Sequence, residues 1–301
     1  MENNRFNLLL IIFLSMVLLF SLYSWMINEV SDDIKYDSIN NIYSSKTILM
    51  EELISLGIDN MRPLIFDIAR NETAMEAFYN DDKIMLKEKL LPTYIRLSTI
   101  GTISSVQVFN KNNVLSFSAP NVLDNKASVL VKRSNIFKKV HFSPFYSNDN
   151  KLSLGISFPL YNGRAFAGSV LLARDFSHII GHYNSHDDST STIITTEDFR
   201  NRKLPDIWRG LRMVGLYQNG FSIEKIGEKY FRIFAIPIIG SEKKVIAYVL
   251  NTKDFTYEYN KIKSKLDYFT IILLVTSIVI TSFIYLYALR YSKIVYKKGR
   301  K

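Results

Sequence analysis

Two stretches of 22 residues, Phe6–Ile27 and Tyr268–Leu289, contain no charged side chain. As helices rising 1.5 Å per residue, each is long enough to cross a hydrocarbon core of about 30 Å. A helix that stays apolar on every face for this length is rarely the core of a soluble domain. Both stretches are therefore read as membrane spans. The first exceeds the ~7–15 apolar residues of a secretory leader, and Ser24-Trp25-Met26-Ile27 offers no small-x-small cleavage site, so it reads as an uncleaved anchor. Two spans force the 240 residues between them, Asn28–Asp267, onto one side of the bilayer.

Charge says which side. Arg290, Lys293, Lys297, Lys298, Arg300 and Lys301 follow the second run with no acid among them, which places residues 290–301 in the cytoplasm. Residues 1–5, with Arg5, then share that side, and Glu29, Asp32 and Asp33 stand on the other. Of the net charge of +10, the basic tail holds six positive charges, while residues 28–267 carry 31 basic against 27 acidic side chains. The high isoelectric point thus reports a segment that meets anionic lipid, not a nucleic-acid surface. The absence of cysteine excludes disulfides and thiolate metal sites and suits an oxidising compartment.

Within residues 28–267 one design appears twice. Ile156–Phe176, ISFPLYNGRAFAGSVLLARDF, is a run of β-formers, a break at Asn162-Gly163, a second run and a stop at Asp175-Phe176. Ile233–Phe255, IFAIPIIGSEKKVIAYVLNTKDF, repeats it, with Pro237, Gly240 and Asp254-Phe255 matching Pro159, Gly163 and Asp175-Phe176. Each reads as a hairpin, and the pair as two copies of one α/β module. The chain then divides into a stalk helix over 28–62, a first module over 63–185 and a second over 186–265, with the boundary at the polar His186–Ser191.

From Asp32 the stalk helix shows Ile39, Ile42, Leu49, Leu53 and Leu56 in a 3-4 alternation interrupted by Lys46. Two readings stand: a helix packed along its own domain, or the seam of a homodimer. Pro63 ends or bends it. Helices follow at Leu64–Tyr79 and Lys83–Ser98, the latter capped from Asn80-Asp81-Asp82. Strands are predicted at Ser104–Asn110, Val114–Ala119, Phe142–Tyr146 and Lys151–Leu160, with a loop or short helix across Asn121–Lys139. Together with the first hairpin they make a mostly antiparallel sheet of five strands. Helix Asp175–Ser185 precedes the second module: strand Thr192–Thr196, a helical patch at Leu204–Leu211, strand Phe221–Ile226 and the second hairpin. Phe255–Lys265 is a charged helix running into the second span.

This α+β plan resembles the double Cache sensor domains of bacteria. Ile68–Ser118 is similar to the family's helix, helix, strand-turn-strand opening, and the Pro, turn, small-residue strand and Asp-Phe ending to the close of each PAS-like module. The resemblance implies an extracytoplasmic sensor in the inner membrane that binds a small molecule in its membrane-distal module and signals through its transmembrane helices. Chemoreceptors, sensor kinases and diguanylate cyclases carry such domains. They also carry an output region after the second span, where this sequence has 12 residues after Leu289. The sequence therefore reads either as a sensor working through a cytoplasmic or membrane partner, or as one cut short. A non-sensing envelope scaffold that docks a partner protein is the alternative. The Tyr/Arg/Trp/Asp signature of the amino-acid-binding subgroup is not apparent.

Lys132, Arg133, Lys138, Lys139 and His141 cluster in the segment that, by the resemblance, roofs the ligand pocket. Arg133 there could pair bidentately with an anionic ligand. Phe109, Phe117, Phe145 and Tyr146 are predicted to wall the same space. His178, His182 and His186 fall at i, i+4 and i+8, where a metal ion is conceivable, but Gly181 and Asn184 weaken the helix that would stack them. The acidic pairs Asp32-Asp33, Asp81-Asp82 and Asp187-Asp188 sit where helix caps and turns need them. With no HExxH, GxSxG, Walker loop, GxGxxG or cysteine nucleophile, neither catalysis nor a cofactor is expected.

Overall fold

The computed structural model describes residues 2–121, 126–147, 149–203, 205 and 214–298. The predicted helical patch at 204–211 lies, apart from Pro205, outside them, as do the side chains of most of Phe6–Ile27. The chain forms two compact units, Met1–Ile42 with Lys225–Tyr230 and Asp254–Lys301, and Tyr43–Glu224 with Phe231–Lys253.

Helix α1 runs unbroken over Glu2–Met61, so the predicted span and stalk are one helix. Among the described residues only Thr256–Tyr287, in the last helix, is long and apolar enough to cross a membrane; its most apolar window has a mean hydropathy of 2.4 and none of it is buried. Within the larger unit the inward stripe of α1 is Lys46, Met50, Gly57, Ile58 and Met61, with Tyr43 and Leu53 half-buried. The predicted seam holds in part: Ile39 is buried and Ile42, Leu49 and Leu53 are half-buried, but Leu56 is exposed and Lys46, taken as an interruption, faces inward. A 3.6-residue helix drifts off a strict heptad, and here it packs along its own fold.

Local side chains set the next helices. Pro63 separates α1 from α2 (Leu64–Ala69), and Asn71 caps α3 (Glu72–Tyr79) by accepting from the Ala74 amide at 3.1 Å. Asp82 does the same for α4 (Lys83–Thr99) through Met85 at 2.9 Å. The predicted single helix Leu64–Tyr79 is thus two, because the Asn71 side chain satisfies a helix start in mid-segment.

Among the described residues nine strands make two antiparallel sheets. The first contains β1 (Ser105–Asn110), β2 (Leu115–Ala119), β3 (His141–Tyr146), β4 (Leu152–Asn162) and β5 (Ala165–Asp175), in the order β2-β1-β5-β4-β3. Helix α5 (Val129–Phe137), capped by Ser128, lies between β2 and β3 in sequence. After α6 (Ser177–Ser185) the second sheet comprises β6 (Thr190–Thr195), β7 (Phe221–Ile226), β8 (Lys229–Ile239) and β9 (Val245–Asp254), in the order β6-β9-β8-β7. The second order is the first without β2, so the hairpin repeat is also a repeat of topology. Short helices α7 (Thr196–Arg200) and α8 (Val214–Asn219) stand beside the second sheet, and α9 (Thr256–Lys298) closes the chain.

The paired Asp-Phe motifs have a shared physical role. Asp175 accepts from the Ser177 amide at 2.8 Å to start α6, and Asp254 from the Thr256 amide at 3.0 Å to start α9. The phenylalanine that follows each plugs a core, Phe176 fully buried and Phe255 nearly so.

Alternation gives the first sheet two unlike faces. One is apolar: Val106, Val108, Leu154, Ile156, Phe158, Val170 and Leu172 are all buried. Helix α1 reaches this face at Gly57, where an added Cβ would stand 2.7 Å from a methyl of Leu154. The other face lies under α5.

Candidate functional site

The strand pairing assembles the α5 face from residues distant in sequence. His141 pairs with Ser157, Ser143 with Gly155 and Phe145 with Ser153 across β3 and β4. Leu171 and Ala173 of β5 continue the row, and Gln107 and Phe109 of β1 complete it. Large apolar side chains occupy one end. Phe109, Phe145, Leu171 and Ala173 pack against Leu130, Val131 and Ala127 in one cluster, with Leu115 alongside. The rest is small and polar: Ser143, Ser153, Ser157, Ser169 and Gln107 are all buried. Gly155 lies beneath α5, where an added Cβ would stand 2.5 Å from the Phe145 ring and 2.8 Å from Leu130.

Buried hydroxyls and amides need partners. Some of these have them. Ser169 donates to Asn135 of α5, and Asn135 donates to the Asn110 carbonyl at 3.1 Å and to Asn113 at 2.8 Å. Ser134 donates to the Lys139 carbonyl at 3.0 Å, and Ser143 to the Pro144 carbonyl at 2.9 Å. Two atoms differ. Ser157 Oγ and His141 Nε2 are buried and have no hydrogen-bond partner. They belong to residues directly opposite one another in the β3–β4 ladder. An unsatisfied buried polar group costs about 1–3 kcal/mol, so two side by side mark a place where a polar molecule would be welcome.

The electrostatics favour a neutral imidazole. Burial, then the charges of Arg133 and Lys139, hold the His141 pKa below its ordinary value. A neutral ring offers one N–H and one bare nitrogen, and the serine hydroxyl offers both functions. The pair can therefore meet a donor and an acceptor on the same small molecule.

The five predicted pocket residues are split. Phe109 and Phe145 do share the α5 face, as packed core. Phe117 pairs with Val108 and so points to the opposite, apolar face. Tyr146 follows Phe145 along the strand and also turns away, because adjacent strand residues alternate; it lines a cleft of about 320 Å³ with Thr195 and Asp198. The expectation that all four aromatics wall one space is thus corrected. Arg133 donates from Nη1 to the Ser241 carbonyl, in the β8–β9 turn. Lys132, Lys138 and Lys139 are exposed.

His178 and His182 are exposed on α6, and the helix ends before His186. Among the described residues no three His, Cys, Asp or Glu side chains come together to hold a metal ion. The three histidines are therefore not all on α6: His186 is the residue that caps its C-terminal end.

Sequence reasoning passed over His141 as a ligand contact and Ser157 altogether. The signal was there in LSLGISF, where Ser153, Gly155 and Ser157 alternate with Leu and Ile. A second missed feature is an ion cluster. Asp187 lies 2.8 Å from Lys46 Nζ on α1 and 3.2 Å from Arg232 Nη2 on β8. Lys46 also stands 4.8 Å from the ring centre of the buried Tyr183.

No family model and no curated relative matches the chain. Solved structures do. The sensor domain of the V. cholerae histidine kinase DctB is similar over 73% of this chain and 98% of its own, with 10% identity and a TM-score of 0.48. The ligand-binding domain of the Pseudomonas fluorescens chemoreceptor CtaA, in complex with L-isoleucine, is similar over 78% and 98%, with 12% identity and a TM-score of 0.44. That of the Pseudomonas aeruginosa PAO1 amino acid chemoreceptor PctC, in complex with GABA, is similar over 72% and 100%, with 13% identity and a TM-score of 0.41. At such identities and TM-scores the likenesses name neither a ligand nor a role for this chain. The chain's own architecture, one long N-terminal helix with two antiparallel sheets of matching strand order, is the α+β plan expected from its sequence.

Proposed function

We propose that this protein is a two-pass sensor of the bacterial inner membrane whose first sheet binds a small polar molecule beneath α5. Residues 28–267 face the extracytoplasmic side, and both termini are cytoplasmic. The observation that carries the reading is the pair Ser157 Oγ and His141 Nε2, buried, adjacent and unpartnered under a helix roof. A ligand that satisfies both would favour one seating of α5 over another, and only such a differential preference can send a signal. The Arg133 bond to the Ser241 carbonyl would carry a shift of α5 toward the second sheet. Helices α1 and α9 are the natural conductors to the membrane. The exposure of Phe269, Ile271, Val275, Ile280 and Phe283 on α9 supports lipid contact.

The test is a thermal-shift screen of the full chain in detergent against amino acids, small carboxylates, polyols and amines. At least one class should raise the melting temperature in a saturable way, and Ser157→Ala should weaken that ligand about tenfold, the loss expected of one buried hydrogen bond of about 1–1.5 kcal/mol. A screen without a hit, or a hit that Ser157→Ala binds as well as the parent, would contradict the reading.

A further inference from the structure

A second recess lies on the opposite side of the first sheet, between α1 and α6. It measures about 130 Å³ and is lined by Leu53, Leu56, Gly57 and Asn60 of α1, by Arg174 at the end of β5, and by His178, Ile179 and His182 of α6. Arg174 pairs with Leu154 in the β4–β5 ladder, so it stands on the apolar face, whereas His141 and Ser157 stand on the other. The two sites are therefore separated by the sheet itself.

The lining is sorted by chemistry. Arg174 is the one permanent charge, two imidazoles share the lining with it, and no carboxylate is among the lining residues. Arg174 Nε is buried without a hydrogen-bond partner. A guanidinium N–H withdrawn from water and bonded to nothing is costly, and an anionic acceptor would recover the loss. Leu53, Leu56 and Ile179 supply an apolar wall beside it. At Gly57 α1 packs tightly against the wall of the recess: a Cβ there would stand 2.7 Å from Leu154 and 3.6 Å from Ile179.

We infer that this recess binds a short-chain monocarboxylate. The carboxylate takes the Arg174 fork, whose parallel N–H groups match its two oxygens. Asn60 and the two imidazoles are at hand for the remaining lone pairs. The short alkyl chain lies on Leu53, Leu56 and Ile179. A ligand there touches the stalk helix itself, a different input from one held under α5.

The probe is butyrate, titrated calorimetrically into the full chain in detergent, with butanol, butylamine and inorganic phosphate in parallel. Butyrate should bind saturably and at least tenfold more tightly than the other three. Arg174→Gln should weaken butyrate at least tenfold. So should Leu56→Glu, which places a like charge at the rim on a residue already 56% exposed and thus leaves the core alone. Ser157→Ala should leave butyrate binding unchanged, so failure of the site under α5 is separable from failure of this one. The inference is overturned if butyrate does not saturate, if butanol or phosphate matches it, if Leu56→Glu binds like the parent, or if Ser157→Ala abolishes binding.

Discussion

Lys46 interrupts the apolar seam of α1, and it is buried rather than turned to solvent. It lies there because Asp187, 141 positions away in sequence, meets it together with Arg232. Taking three charges out of water is costly, and only their mutual attraction and hydrogen bonds offset it. Asp187 is the anion that balances two cations. Burial alone would raise its pKa, but the bonds from Lys46 and Ser189 and the charges of Lys46 and Arg232 outweigh that and hold it below the ordinary carboxylate value. A depressed carboxylate pKa contributes stability that is fully present above the unfolded value and is lost as pH falls through the folded one. The parent should therefore lose this contribution only below about pH 4. Asp187→Ala leaves Lys46 and Arg232 facing each other and should cost about 3 kcal/mol by chemical denaturation at pH 7. A cost below about 1 kcal/mol would mean that solvent already screens the cluster. None of this could be read from the sequence, where Asp187-Asp188 looks like a turn and Lys46 like an imperfection in a heptad.

Helices and strands were more legible than their faces. Caps such as Asn71, Asp82 and Ser128 are local signals, and the helices begin where those side chains accept their amides. The strand runs and both hairpins also announce themselves through β-branched content and turn residues. What a strand's neighbours will be is not local. Phe145 and Tyr146 look alike in sequence yet point to opposite faces, and His141 meets Ser157 only through the register of β3 on β4. Arg133 sits on the predicted roof but reaches for Ser241, because the length of its side chain leaves its partner undetermined. The Asp-Phe ending of each hairpin works at this scale as a helix starter. Asp175→Ala removes the carboxylate that accepts the Ser177 amide and should cost about 1 kcal/mol, read from the denaturation midpoint. An unchanged midpoint would show that α6 is held by Ile179 and Tyr183 alone.

At the scale of the molecule, the reading depends on which side of a bilayer the two sheets face. The chain contains no cysteine, so single cysteines can report it without background. Asn150→Cys, at an exposed turn, should react with a membrane-impermeant maleimide on spheroplasts, and Arg300→Cys only after lysis. The reverse pattern would invert the topology.

The central claim is that a small molecule lodges between α5 and the serine face of the first sheet. Amide hydrogen exchange with the strongest ligand of the thermal screen tests it most directly. The account predicts slowed exchange in Val129–Phe137 and across the β3–β4 ladder. Protection confined to β6–β9, or absent everywhere, would contradict it.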